Sequence, residues 1–293
     1  MKTFKEALGK RNFVITAECF LKPETDAEAI RYQADLLRDH VDGVLLTDHQ
    51  FGALHISTVA AARLMLDNNV DPIVQLSCRN QNRISLFGDL TGAAALGVTS
   101  MLLIHGNRLP KNVSPRPKNV LDVNATELIA MAASLNADNL MRPAPDLLVG
   151  CSATPHDPKA DWRPQKLLAK VEAGARFMLT HTCMDIDLLR RYIKRLIGTE
   201  ITHKLSIIVS IVIFSSAEEA RWLRDNRPNV LIPDLLIDRL GAASDPRQEG
   251  LDIGVEQLTQ LAQIPGISGV NIMASQDLAS IPAVIEAADL PEA

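Results

Sequence analysis

The stretch QLSCRNQNRISLFGDLTGAAALGVTSMLLIHGN, residues 75–107, carries the pattern that decides the fold. An apolar run that begins at Pro72 stops at Cys78, Arg79 and Asn80. A helix-patterned segment follows and ends at Gly97, where a residue free to adopt the left-handed conformation stops a helix. A second apolar run, SMLLIHG (100–106), closes on His105 and then Asn107. The unit is strand, helix, strand, and both strands end in groups able to hold a ligand.

The same unit recurs in both directions along the chain. Strand-length apolar runs are FVITAEC (13–19), GVLLT (43–47), PIVQLSC (72–78), SMLLIHG (100–106), DLLVGCSA (146–153), RFMLTH (176–181), LSIIVSIV (205–212) and GVNIMA (269–274). They are continuous rather than alternating, which indicates strands covered on both faces, as in parallel sheets. Helical periodicity fills the intervals. In DAEAIRYQADLLRDH (26–40) the apolar positions Ala27, Ile30, Ala34 and Leu37 follow a three-to-four step, with Thr25 or Asp26 as the cap. Gly97, Gly174 and Gly266 each precede a strand. Eight alternations in 293 residues predict an α/β protein, a single (β/α)8 TIM barrel over residues 1–293. A doubly wound open sheet is the competing arrangement. No domain linker stands out. The least regular part, RLPKNVSPRPKNVLDV (108–123), reads as a long loop after the fourth strand, either solvated or closing on a ligand as a lid.

Composition narrows the function classes. Hydrophobic residues make up 47% of the chain and charged residues 22%, the balance of a globular protein with a substantial core. The net charge is −5 and no Lys/Arg block occurs, so a nucleic-acid footprint is not supported. Aromatics at 4% argue against base-stacking surfaces. The longest apolar run, IIVSIVIF (207–214), is too short to span a bilayer, and the N-terminal residues contain no signal-like apolar segment. A cytoplasmic protein with no membrane partner is expected. Cys19, Cys78, Cys151 and Cys183 form no C-x-x-C pair and read as small hydrophobes at strand ends, with neither disulfide nor zinc expected.

In a barrel, ligand-facing groups sit where strands end and βα loops begin. Those ends present Glu18, Thr47 with Asp48, Gln75 with Cys78-Arg79-Asn80, His105 with Asn107, Ser152 with Thr154, His181, Ser210 and Asn271. A purely structural barrel does not need a polar side chain at nearly every rim position. Dinucleotide, P-loop, zinc-protease and serine-hydrolase motifs are all absent. Gly88, Gly92 and Gly97 belong to a helix and its end rather than to a phosphate loop. His181, Cys183 and Asp185 have the spacing of a loop lining a pocket more than that of a metal site. Glu18 closes the apolar strand ITAE. A carboxyl there is desolvated and suited to general acid work; the alternative is a Glu paired with a neighbouring Arg.

Several blocks, in order, resemble the methylenetetrahydrofolate reductase family: ITAECFLKPET (15–25), GVLLTDHQFG (43–52), PIVQLSCRNQNRISLFGDLTGAAALGVTSMLLIHGN (72–107), VGCSATPHDP (149–158), AKVEAGARFMLTHTCMD (169–185) and IPDLLIDRL (232–240). The resemblance spans nearly the whole chain. It implies a barrel that carries a flavin, FAD, at the strand ends, takes electrons from NADH or NADPH, and interconverts 5,10-methylenetetrahydrofolate and 5-methyltetrahydrofolate. It places the catalytic acid on Glu18. Flavin contacts fall on Thr47, Gln75, His105, Asn107, Thr154 and Lys170. Folate contacts fall on Glu18, Asn107, His181 and Asn271, and the family's aspartate after its TQ motif falls on Asp185. The chain departs from the family pattern where Asn107 replaces Asp, Gln75 replaces His, His181 replaces Gln, and VSIVI (209–213) replaces a proline-glycine stretch. An aromatic that packs on ligand in some members falls on Ala217. These departures keep two alternatives open: direct, flavin-free hydride transfer, and a tetrahydrofolate-binding barrel that passes a methyl group to a corrinoid partner. A homo-oligomer is open by analogy alone.

Overall fold

The computed structural model describes residues 2–10, 13–19, 21–107, 109, 117–137, 141–159, 161–227 and 229–290, with only the backbone of Phe51. Half of the 108–123 loop, residues 108 and 110–116, lies outside the described residues, so its role as a lid does too.

Eight parallel strands close a barrel in sequence order: β1 (Val14–Cys19), β2 (Gly43–Leu46), β3 (Pro72–Ser77), β4 (Ser100–Ile104), β5 (Leu148–Ala153), β6 (Phe177–Thr180), β7 (Ser206–Ile213) and β8 (Gly269–Ala274). The (β/α)8 barrel is therefore the fold, and the open sheet is excluded because β8 pairs with both β7 and β1. The helices are α1 (Phe4–Gly9), α2 (Ala27–Leu37), α3 (Thr58–Asp67), α4 (Arg83–Ala95), α5 (Ala125–Leu135), α6 (Gln165–Glu172), α7 (Ile186–Ile197), α8 (Ala217–Asn226), α9 (Asp234–Ala242), α10 (Pro246–Ala262) and α11 (Ser280–Ala287). Local chemistry explains their starts. Asp26, Ser57, Asn82, Asp185 and Ser216 each accept a backbone N–H of the first turn, and Pro246 opens α10 where its missing N–H costs nothing. Gly97, Gly174 and Gly266 do take positive φ values, 96°, 122° and 91°.

Three short helices, α1, α9 and α11, are not picked out by the periodicity reading. The β7 strand extends one residue further than expected. Where the family has prolines, Val209–Ile213 can donate to the ladder, and Ile213 pairs with Ala274 of β8.

The strand registers arrange the inward side chains in layers drawn from alternate strands. Following the pairings round the barrel brings Glu18 of β1, Gln75 of β3, Ser152 of β5 and Ser210 of β7 to one level. Below them lie Leu45, Leu102, Leu179 and Asn271 of the even strands. The polar rim anticipated from the sequence is thus one layer of a closed barrel, standing on a mostly apolar floor.

The opposite end is plugged. Phe4 of α1 packs edge-on against Phe177, with centroids 5.2 Å apart, and its N–H donates to Asp71 Oδ2 at 2.8 Å. Burial pushes the Asp71 carboxyl up to about 6. Gly150 makes room for Phe177: a Cβ at that position would lie 2.2 Å from the ring. Gly150→Ala should therefore cost about 1–3 kcal/mol by overpacking. Thermal melting checks this, and an unchanged midpoint would show that the Phe177 ring can swing aside.

Candidate functional site

A polar cavity of about 290 Å3 opens at the C-terminal ends of the strands. Its lower wall is the layer of Glu18, Gln75, Ser152 and Ser210, with Leu45, Leu102 and Leu179 beneath, and its upper walls include His105, Asn107 and His181. Of the residues singled out from the sequence, Glu18, Gln75, His105, Asn107 and His181 line it. Thr47, Thr154 and Lys170 stand outside the lining. Asn271 acts from beneath, donating Nδ2 to Glu18 Oε2 at 3.1 Å and accepting from the Thr16 hydroxyl at 2.9 Å. The Thr47 hydroxyl is buried with no partner among the described residues. Lys170 reaches back from α6 and donates to the Ser152 carbonyl at 2.7 Å.

Glu18 is 5% exposed. Its hydrogen-bond partners are two amides, Asn271 and Gln50, the latter donating Nε2 to Oε1 at 3.0 Å. The alternative of an arginine ion pair is thereby replaced by amide donors. Burial outweighs the two donors and pushes the carboxyl up from 4.5 to about 7. Glu18 is therefore poised to hold and release a proton near neutrality.

Three βα loops are tied together beside this acid. Asp48 Oδ2 accepts the Ser77 N–H at 2.8 Å and the Ser77 hydroxyl at 2.6 Å, and the Asn80 amide donates to the same carboxylate. Arg79, 4% exposed, donates to the carbonyls of His49 and Asn107, both at 3.0 Å, and to Asn80 Oδ1 at 2.8 Å. One guanidinium thus joins the loops after β2, β3 and β4. Planar, multiply donating arginine suits this role better than lysine. The His105–Asn107 corner turns at Gly106, whose φ is 90° and whose absent Cβ would lie 2.6 Å from Arg79 Cβ.

On the far wall, burial and the nearby Lys170 charge lower the His181 pKa, favouring the neutral imidazole. The metal reading of 181–185 does not fit the geometry. Asp185 caps α7 by accepting the Leu188 N–H at 2.9 Å, and Cys183 is buried in a bridge to Leu231. No group of three or more metal-ligating side chains occurs among the described residues. The four cysteines are free and buried. Burial pushes Cys78 and Cys151 up to about 11 and Cys183 to about 12, so they pack as thiols.

A second, largely apolar cavity of about 580 Å3 adjoins the first. Leu21, Pro23, Val212, Phe214, Trp222 and Met273 contribute to its walls, and it shares Gln50, Leu223 and Met273 with the polar cavity. The sequence reading missed this half of the site. It also missed Gln50, and Arg227 and Asn229 of the polar cavity, which lie in loops with no periodic signal. Arg227 lies over the Trp222 ring, 5.6 Å from its centroid, and burial lowers its pKa to about 10.

A family model described as methylenetetrahydrofolate reductase matches residues 3–289. Among solved structures, an uncharacterized protein from Clostridium thermocellum that binds two copies of 5-methyl-5,6,7,8-tetrahydrofolic acid superposes with a TM-score of 0.70 at 14% identity, with 96% of each chain covered. DmoA from Hyphomicrobium sulfonivorans superposes with a TM-score of 0.54 at 11% identity, covering 94% of this chain and 86% of that one. Tryptophan synthase from M. tuberculosis does so with a TM-score of 0.51 at 14% identity, covering 96% and 93%. At these identities the likeness to solved structures speaks for the barrel alone. None of the curated proteins compared with the chain matches it.

Proposed function

Because the chain belongs to the methylenetetrahydrofolate reductase family, we propose that it interconverts 5,10-methylenetetrahydrofolate and 5-methyltetrahydrofolate by hydride transfer, with FAD as cofactor and NADH or NADPH as electron donor. The observation that carries this reading is the buried Glu18, held by two amides in the lower wall of the polar cavity with its carboxyl near 7. In the reducing direction Glu18 gives its proton to the bridging nitrogen N10. The bond from that nitrogen to the methylene carbon breaks, and the carbon is left as an iminium on N5, ready to accept hydride.

The division of the site into two cavities fits the two ends of a folate. The polar one suits the hydrogen-bonding pterin, and the apolar one suits the aminobenzoyl ring. The Clostridium thermocellum protein, similar in fold, binds a folate of this kind, which supports the substrate class.

The residues of the polar cavity fit a flavin in part. Gln75, His105 and Asn107 offer amide and imidazole groups to its ring system, and the unpartnered Thr47 hydroxyl lies one layer above Gln75. A bound flavin would supply the hydride. Lys170 gives one N–H to the Ser152 carbonyl and stands outside the cavity lining, which favours a second reading in which the folate site works without flavin, by direct hydride transfer or by methyl transfer to a corrinoid partner.

An absorbance spectrum separates them. Purified protein incubated with FAD and desalted should keep the visible flavin bands. NAD(P)H should bleach them, and 5,10-methylenetetrahydrofolate should restore them. A colourless protein that oxidises NAD(P)H with the folate would establish the flavin-free reaction. A colourless protein that binds 5-methyltetrahydrofolate without that activity would favour methyl transfer.

A further inference from the structure

Gln50 stands at the junction of the two cavities and lines both. Its Nε2 donates to Glu18 Oε1 at 3.0 Å, while its Oε1 is buried with no hydrogen-bond partner among the described residues. A buried carbonyl oxygen left unsatisfied is unfavourable and calls for an occupant. We propose that Gln50 is a positioning residue whose amide holds the Glu18 carboxyl at one end and accepts an N–H of the ligand at the other. Resting on the folate reading above, that N–H is the secondary amine formed at N10 when the methylene bridge opens.

The loop that carries Gln50 is held firmly enough to place it. His49 adopts a left-handed backbone, φ 46°, and its N–H donates to His55 Nε2 at 2.9 Å. The His55 Nδ1 pairs with the Ile56 carbonyl at 2.6 Å, and the two imidazoles stack with centroids 4.2 Å apart. The His49 carbonyl is anchored by Arg79. Burial lowers the His55 pKa, favouring the neutral ring that can accept the His49 N–H.

The two ends of the amide act on the same event. Before proton transfer, Glu18 carries the proton and N10 has none. Afterwards, the former N10 lone pair holds the proton as the N10–H bond, the electron pair of the broken carbon–nitrogen bond has become the new lone pair on N10, and Glu18 is a carboxylate. The Gln50 N–H then meets a negative charge, and the Gln50 carbonyl meets a new donor. Both hydrogen bonds strengthen as the reaction proceeds, so the residue favours the transition state over the bound substrate. Other charged or titratable groups facing this cavity are Asp48, Arg79, His105, His181 and Arg227, and Lys22, Glu218 and Glu219 border the second.

The test uses Gln50→Leu and Gln50→Glu, with folding checked by circular dichroism. In ligand-free protein, infrared titration of the Glu18 carboxyl, identified by subtracting Glu18→Gln, should show tighter proton binding in Gln50→Leu, by about tenfold. In Gln50→Glu, where a like charge replaces the donor, it should tighten further. An unmoved titration would overturn the positioning role. In binding, Gln50→Leu should lose about tenfold in affinity for 5-methyltetrahydrofolate but little for its analogue methylated at N10. Gln50→Glu should keep the preference for the free N–H. Equal losses for both ligands would overturn the N–H contact. If the wild-type protein binds neither compound, the folate reading falls and the titration alone decides the role of Gln50.

Discussion

Glu18→Gln is expected to lower turnover by about 10²–10⁴-fold while raising the unfolding midpoint at pH 8. The two effects share one cause. Burial holds the carboxyl near 7 against an ordinary 4.5, so the folded protein keeps a proton that the unfolded chain releases between those values. Stability is therefore full below about 4.5 and is lost as the pH rises towards 7. That difference corresponds to about 3 kcal/mol above neutrality for a group this buried. A glutamine cannot ionise and escapes the loss. It sets one of its own N–H groups against the amide of Gln50 or Asn271, which takes back about 1 kcal/mol. The net gain is about 2 kcal/mol at pH 8, and below pH 4.5, where only the opposed amides count, it should turn into a loss of about 1 kcal/mol. Melting curves across pH together with steady-state rates check both halves. Full turnover in the variant would remove Glu18 from the chemistry. An equal melting shift at every pH would show that its carboxyl is not raised by burial. The same environment that makes a useful acid near pH 7 thus carries a stability cost, as functional sites commonly do.

Glu18 was legible as a cavity residue because it breaks an apolar strand at the position where a barrel places its ligand-facing groups, and it does line the polar cavity. The sequence reading reached the fold because parallel strands covered on both faces leave continuous apolar runs, and these survive any detail of helix ends. The layer of Glu18, Gln75, Ser152 and Ser210 was legible as polar strand ends, but its closure into one ring depends on registers that pattern alone does not fix. Gln50 was not legible. It lies in a loop, and its partnership with Glu18 spans 32 residues of chain with no periodicity to reveal it. The apolar cavity was hidden for a similar reason. Leu21 follows β1, Phe214 follows β7 and Trp222 lies inside α8, and Leu21 meets the other two only once the barrel has closed. Of the loop read as lining a pocket, His181 does line the cavity, whereas Asp185 proves to be the cap of α7.

Asp48→Ala should be the most damaging change in the loops. Its carboxylate is buried and takes the Ser77 N–H, the Ser77 hydroxyl and the Asn80 amide. Alanine leaves the buried Ser77 N–H with no acceptor, and the cost of such a group exceeds that of a lost exposed bond. A destabilisation of about 3 kcal/mol is expected, a fall in melting temperature of roughly 6–12 °C. Asp48→Asn should lose less, because the amide oxygen can still accept from Ser77 while its nitrogen opposes the Asn80 amide. The functional consequence follows from the brace. Arg79 reads carbonyls presented by the loops after β2 and β4, and Asp48 fixes the loop after β3 on which Arg79 stands. Loosening that loop frees His49 on one side and Asn107 on the other, so ligand affinity should fall together with stability. In Arg79→Leu the same loss of affinity is expected with Asp48 intact. A variant at 48 that melts early yet binds 5-methyltetrahydrofolate normally would show that each loop is held by its own packing, and that the arginine bridge is not what shapes the cavity.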